Sequence, residues 1–186
     1  MQKTVIILSV LALLTVGCYG QTLIIKSDTL VIHKTFHDKN GSNNLEIKVV
    51  NPCGENKYDG WINYITVSLH NKNYSDTLIY NNSNYEMSLI NLVESNLALK
   101  SISGKQAVFI PFAYCGNVDD DKQITCIVLY DHKTHIYRIN LRGIEFQNYK
   151  IVDDLNEKLK DLPKKLKKKL INHINSQYET ILGFEW

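Results

Sequence analysis

The chain has 186 residues, 44% of them hydrophobic and 22% charged, with 21 Lys+Arg against 19 Asp+Glu. That length and apolar content suit one globular domain with an appendage. Whole-chain disorder is excluded, since Gly totals 9 and Pro 3 and apolar clusters run throughout. A formal charge of +2 lacks the basic excess of a dedicated nucleic-acid binder, so no nucleic-acid partner is expected.

Residues 1–20 carry one basic side chain, Lys3, followed by an apolar run over 5–16 and then small residues. The run is too short to cross a bilayer, which takes about 20 residues. A positive start, a short apolar core and small residues after it predict a secretory signal peptide of bacterial type. Two ends are open. Gly17-Cys18 resembles the end of a lipoprotein signal, which would make Cys18 a lipidated first residue after a 1–17 leader; Thr15 departs from that pattern. Ordinary cleavage after Gly20 would instead begin the mature chain at Gln21. Either end predicts export to the periplasm, the outer envelope or the exterior.

The mature chain then has 166 residues with 20 basic and 19 acidic side chains, so any strong electrostatics must be local. Strand signals fill residues 21–150. β-Branched runs at 22–26 and 29–33 flank Ser27-Asp28, a pair suited to a turn. Residues 45–50 alternate Leu45, Ile47 and Val49 with Glu46 and Lys48, and Asn51-Pro52-Cys53-Gly54 ends that strand in a turn. Residues 61–70 carry large side chains on both alternating faces, which predicts a central strand covered on each side. Another short strand falls at 76–80. Residues 85–96 fit helical spacing or a bent strand equally well.

Residues 107–115, 124–131 and 135–146 are three dense apolar strands with short polar connections, the pattern of a hairpin-linked meander. About eight strands in all predict a mostly β fold, an antiparallel β-sandwich, immunoglobulin-like or similar.

The composition changes at Val152. Asp153 and Asp154 sit where a helix cap belongs. Leu155, Leu159, Leu162, Leu166, Leu170, Ile174 and Tyr178 then follow at helical spacing. The opposite face holds Lys158, Lys160, Lys164, Lys165, Lys167, Lys168 and Lys169. Pro163 splits the stretch into two helices and sits early in the second, where it is tolerated. The ending, Tyr178, Thr180, Leu182, Phe184 and Trp186, alternates and predicts an aromatic tail folded onto the domain, so that 151–186 forms a helical appendage with that tail.

Three cysteines remain in the mature chain. A turn at Asp120-Asp121 places Cys115 opposite Cys126, so a cross-strand disulfide is expected there; Cys53 is then unpaired, or pairs with one of the others instead. Metal spacing is weak. His33 and His37, Asp131 with His132 and His135, and the triplet Asn117, Asp119, Asp121 are the candidates. The last has Lys122 where a calcium loop needs glycine and Val128 where it needs a bidentate acid. No cofactor and no metal are expected. No serine elbow and no phosphate-binding glycine loop occurs, and neither Cys53 nor Cys115 carries a nucleophile signature.

The expected function is an exported, non-enzymatic binding or interaction protein of the envelope or exterior. Its partner would be a protein or surface ligand, with peripheral or lipid-anchored membrane association as an option. Two alternatives stand beside it: a small secreted enzyme of unrecognised type, and a membrane-surface protein docking through the basic helix, with Lys164, Lys165, Lys167, Lys168 and Lys169 as the contact residues. Solvent-facing Leu159, Leu166 and Leu170 would favour the latter; leucines covered by strands would remove it.

Overall fold

The computed structural model describes residues 29–54, 62–85, 88–115, 121–145 and 148–182. The predicted leader, Cys18, the 22–26 run, Trp61, Asn117, Asp119, Phe184 and Trp186 lie outside them. Two antiparallel sheets pack face to face, and a helix covers the far side of one.

The first sheet is a simple meander: β1 (Thr29–Asp38), β2 (Gly41–Val50), β3 (Tyr64–Asn71) and β4 (Tyr74–Tyr80) pair in that order. Period-two alternation sends Ile32, Phe36, Leu45, Ile47, Val49, Ile65 and Val67 inward. The second sheet is built on β7 (Lys105–Cys115), β8 (Asp121–Tyr130), β9 (Lys133–Glu145) and β10 (Asn148–Ile151). On the other side of β7, β6 (Ala98–Ile102) pairs with residues 105–109 and β5 (Leu89–Asn91) with residues 113–115. Pro111 falls between the two partners, where its missing N–H costs no ladder bond on that side.

The sandwich is therefore two successive meanders. Its connections do not make the Greek-key crossing of immunoglobulin domains. The uncertain 85–96 stretch is neither one helix nor one strand: it holds β5 and a 3₁₀ turn at Glu94–Asn96. β3 lies inside its sheet between β2 and β4, as its pattern predicts, but the helix packs on β6, β7 and β8 of the other sheet. On the outward side of β3, Tyr64 and Thr66 are half-buried, Ser68 is buried among its neighbours and His70 is exposed.

β7 is covered on both sides. Val108, Ile110, Phe112 and Tyr114 meet the first sheet, while Ala107, Phe109 and Ala113 meet the helical layer. That layer is α1 (Leu155–Lys158) and α2 (Lys164–Leu182). Asp154 caps α1, its carboxylate accepting from the backbone N–H of Asn156 at 2.9 Å. Pro163 precedes α2 and gives its carbonyl to the Lys167 N–H at 2.9 Å. Leu155, Leu159, Leu162, Leu166, Leu170, Ile174 and Ile181 are all buried. The alternating segment at 177–182 is thus the last part of α2 and not the start of a separate tail: Ile181 continues the apolar stripe one turn beyond Tyr178.

One end of the sandwich gathers four two-residue turns: Lys39-Asn40, Lys72-Asn73, Ser103-Gly104 and Asp131-His132. Asp131 and His132 both have positive φ, 53° and 59°, the geometry of a type I′ hairpin.

Candidate functional site

The expected Cys115–Cys126 bridge does not form. The disulfide joins Cys53 to Cys115, Cα to Cα 6.3 Å, and Cys126 is a buried free thiol. The reason is register. β7 and β8 pair Pro111 with Cys126 and Ala113 with Ile124, so Cys126 lies four residues along the ladder from Cys115. Four residues span about 13 Å, well outside disulfide reach. Alternation fixes which face a residue takes, and a shift of four leaves every face unchanged, so the apolar pattern could not choose between the registers. Burial pushes the Cys126 thiol up to about 12, against a weaker backbone hydrogen bond from Ile110, which keeps it a neutral core group. Cys53 and Cys115, bonded to each other, offer no thiolate.

The histidines and acids proposed as ligands are spread over separate structures. His33 and His37 lie on the exposed outer face of β1, and His33 Nδ1 is 3.7 Å from Glu46. His132 belongs to the type I′ turn and its ring lies tilted against that of Tyr74, centroids 4.3 Å apart. His135 turns to α1's neighbour Asp161, its Nδ1 3.0 Å from the carboxylate. Tyr137 donates to both oxygens of the same carboxylate, at 2.7 and 2.8 Å. Burial raises the acid's pKa, and the bonds from Tyr137 and His135 outweigh it, so Asp161 titrates below its usual range. These contacts tie the helical layer to β9. Among the described residues no three His, Cys, Asp or Glu side chains are grouped to hold a metal.

Between the sheets at the hairpin end, two clefts hold about 20 and 30 Å³, room for one or two waters and for no organic ligand.

The basic helix divides into three parts. Its leucine stripe is covered: Leu159, Leu166 and Leu170 are fully buried, so it has no apolar face left to enter lipid. At 100° per residue, Lys164, Lys165 and Lys168 fall opposite that stripe and are exposed. Lys167 and Lys169 flank it. Lys167 donates to the Asn156 carbonyl at 3.4 Å and Lys169 to the Ser101 carbonyl at 3.1 Å.

On the Lys169 flank, α2 and β6 border an open surface groove of about 260 Å³ lined by Lys100, Lys169, Asn172, His173 and Ser176. Sequence reasoning missed Lys100 and His173. Lys100 sits on a strand 69 positions before Lys169 in the chain, and nothing local links them. His173, three residues after Leu170, had a detectable signal: a polar residue at the margin of an apolar stripe.

Comparison with protein-family models, with curated proteins and with solved structures returned no match.

Proposed function

We propose that this chain is an exported, non-enzymatic binding protein, and that it docks on a negatively charged surface through Lys164, Lys165 and Lys168. The observation that carries this reading is the placement of unpaired lysines where the fold does not want them. Among the described residues, Lys34, Lys105, Lys158 and Lys160 each have a carboxylate partner, while Lys39, Lys48, Lys72, Lys100, Lys133 and Lys150 stand singly without one at ion-pair distance. Lys164, Lys165, Lys167, Lys168 and Lys169 have none.

All five stand within the first six residues of α2, with Lys164, Lys165 and Lys167 in its first turn, which holds no acid. A helix N-terminus carries partial positive charge, so each lysine there costs roughly 0.3–1 kcal/mol, and Lys164 and Lys168 also repel at the i,i+4 spacing. A local rule broken without structural return is the mark of a residue kept for a contact. Export is supported by the leader pattern and by the Cys53–Cys115 disulfide, a bond at home in an oxidising compartment. No helix among the described residues is long and apolar enough to cross a membrane. The covered leucines remove the reading in which the helix enters a membrane with its apolar stripe. The contact proposed here is electrostatic alone, worth about 1 kcal/mol per lysine near an anionic surface and screened by salt.

The test is co-sedimentation of the mature protein with vesicles containing an anionic phospholipid, beside neutral vesicles, with the variant K164E/K165E/K168E. The expected result is binding to anionic vesicles only, lost in the variant, while the variant's melting temperature rises because the helix dipole is now complemented. Equal vesicle binding by variant and parent overturns the reading.

A further inference from the structure

We infer that the groove between β6 and α2 is a binding site for a tetrahedral oxyanion, a phosphate or sulfate group, held by Lys100, Lys169 and His173. The site shares Lys169 with the basic helix but depends on Lys100 and His173, which the outward lysine face does not contain, so it stands or falls separately from the docking reading.

Four observations carry it. First, the groove holds about 260 Å³, roughly ten times the clefts between the sheets, and it is a shallow, solvent-open depression in which Lys169, Asn172 and Ser176 are exposed and Lys100 and His173 half-buried. Second, its walls are cationic and donor-rich. Lys100 from one element and Lys169 from another face the same space, with the Asn172 amide and the Ser176 hydroxyl beside them. Neither lysine has a carboxylate within ion-pair distance among the described residues, so their charge is uncompensated. A divalent oxyanion between two ammonium groups gains charge-assisted hydrogen bonds from both.

Third, the cationic groups are held in place by the backbone. Lys169 Nζ donates to the Ser101 carbonyl at 3.1 Å, which fixes its direction and leaves two further N–H donors. His173 Nε2 lies 2.8 Å from the Asn96 carbonyl oxygen, and since a carbonyl only accepts, Nε2 carries the proton. Nδ1 is then an acceptor in the neutral ring and becomes a donor when the ring is protonated. Fourth, the imidazole is set against a rigid backing: its ring centroid is 5.9 Å from that of Phe109, which is fully buried.

The groups facing His173 predict how the site responds to pH. They are Lys100 from β6, the Asn96 carbonyl from the 3₁₀ turn, the Phe109 ring from β7, and Lys169, Asn172 and Ser176 from α2 itself. Burial lowers the His173 pKa, the Asn96 bond opposes this, and the Lys100 charge lowers it further, so the ring is neutral at pH 7. A bound oxyanion cancels the Lys100 repulsion and favours the protonated ring, whose Nδ1–H can then donate. Binding therefore takes up a proton and strengthens as pH falls.

The experiment is a sulfate titration of the mature protein followed by the imidazole NMR signals, at several pH values between about 5 and 8. Sulfate keeps one charge state over that range, so any pH dependence belongs to the protein. The expected result is a saturable shift of the His173 signal, with affinity rising several-fold as pH falls from about 8 to about 5. K100A, at a half-buried position on the helix-facing side of β6, weakens binding about tenfold, the loss of one charge-assisted bond. H173Q, followed by the backbone amide signals of Lys169, Asn172 and Ser176 because its imidazole is gone, keeps part of the binding and removes its pH dependence. K164E/K165E/K168E leaves the sulfate titration of His173 unchanged. A second arm with phosphatidic acid vesicles separates the two sources: a shift with sulfate assigns a soluble ion, and a shift with the vesicles alone assigns a headgroup. Absence of a saturable shift at His173 in both arms overturns the inference, as does unchanged sulfate affinity in K100A.

Discussion

Cys53 and Cys115 are 62 residues apart in sequence, and a disulfide joins them with their Cα atoms 6.3 Å apart. Cys53 follows β2 of the first sheet and Cys115 ends β7 of the second, so the bond staples the two layers together at the end opposite the four tight turns. The backbone prepares the meeting at Ile90. Its carbonyl accepts from the Cys53 N–H at 2.8 Å, its own N–H donates to Asn51 at 3.0 Å, and its neighbour Leu89 pairs with Cys115.

Reduction, or the variant C53S/C115S, is expected to cost about 2–5 kcal/mol, the usual cost of losing a native bridge from a small disulfide-bonded domain. Urea unfolding with and without reductant measures it, and the intact mass rises by about two units on reduction. Under native conditions Cys126 should resist alkylation, because its thiol is fully buried and titrates near 12, and should react as soon as the chain unfolds.

The helical layer is part of the core. Leu166→Ala and Leu170→Ala each open a cavity beneath β7 and are expected to cost about 2–5 kcal/mol in chemical denaturation. Lys165→Ala, on the opposite side of the same helix, should change stability by less than about 0.5 kcal/mol. Equal small effects at all three positions would mean that α2 does not pack on the sheet.

Stability should fall at both extremes of pH. Burial raises the Asp38 and Asp153 pKa values, but hydrogen bonds outweigh it, from the Gln106 and Asn40 N–H groups to Asp38 and from Lys158 and the Asn140 N–H to Asp153. Asp161 is lowered likewise. Folded values below the unfolded ones give stability that is present above about pH 4 and is lost as pH falls through the folded values. Tyr137 is the opposite case: burial, then the bond to Asp161, raises it, so its contribution is complete below about pH 10 and is lost above. Thermal melts across pH check both limbs. Asp161→Asn should flatten part of the acid limb, and Tyr137→Phe part of the alkaline one.

The Ser103-Gly104 turn invites substitutions of opposite sign. Ser103 has φ 53° and Gly104 φ 77°, a pair that a type I′ turn fills best with Asn-Gly. Ser103→Asn should raise stability by a few tenths to about 1 kcal/mol, and Gly104→Ala should lower it by about 1 kcal/mol or more, whatever space is available. Melting temperatures of the two variants read both effects.

Much of the architecture is legible along the chain because its causes are local. Alternation at 45–50 and 64–69 requires strands, the spacing from Leu155 to Tyr178 requires helices, Asp154 and Pro163 mark where they begin, and Asp131-His132 marks a turn. The positions of the lysines opposite the leucine stripe follow from the same spacing. What only the tertiary structure decided is non-local. Registers differing by an even number of residues bury the same side chains, so the partner of Cys115 depends on how β5 and the turn after β2 reach the end of β7. Which sheet α2 covers leaves the outward face of β3 without the helix, although its large side chains predicted cover on both. Lys100 meets Lys169 and His173 because a helix near the chain's end returns across a strand from its middle, a proximity that packing free energy sets and that no spacing of residues encodes.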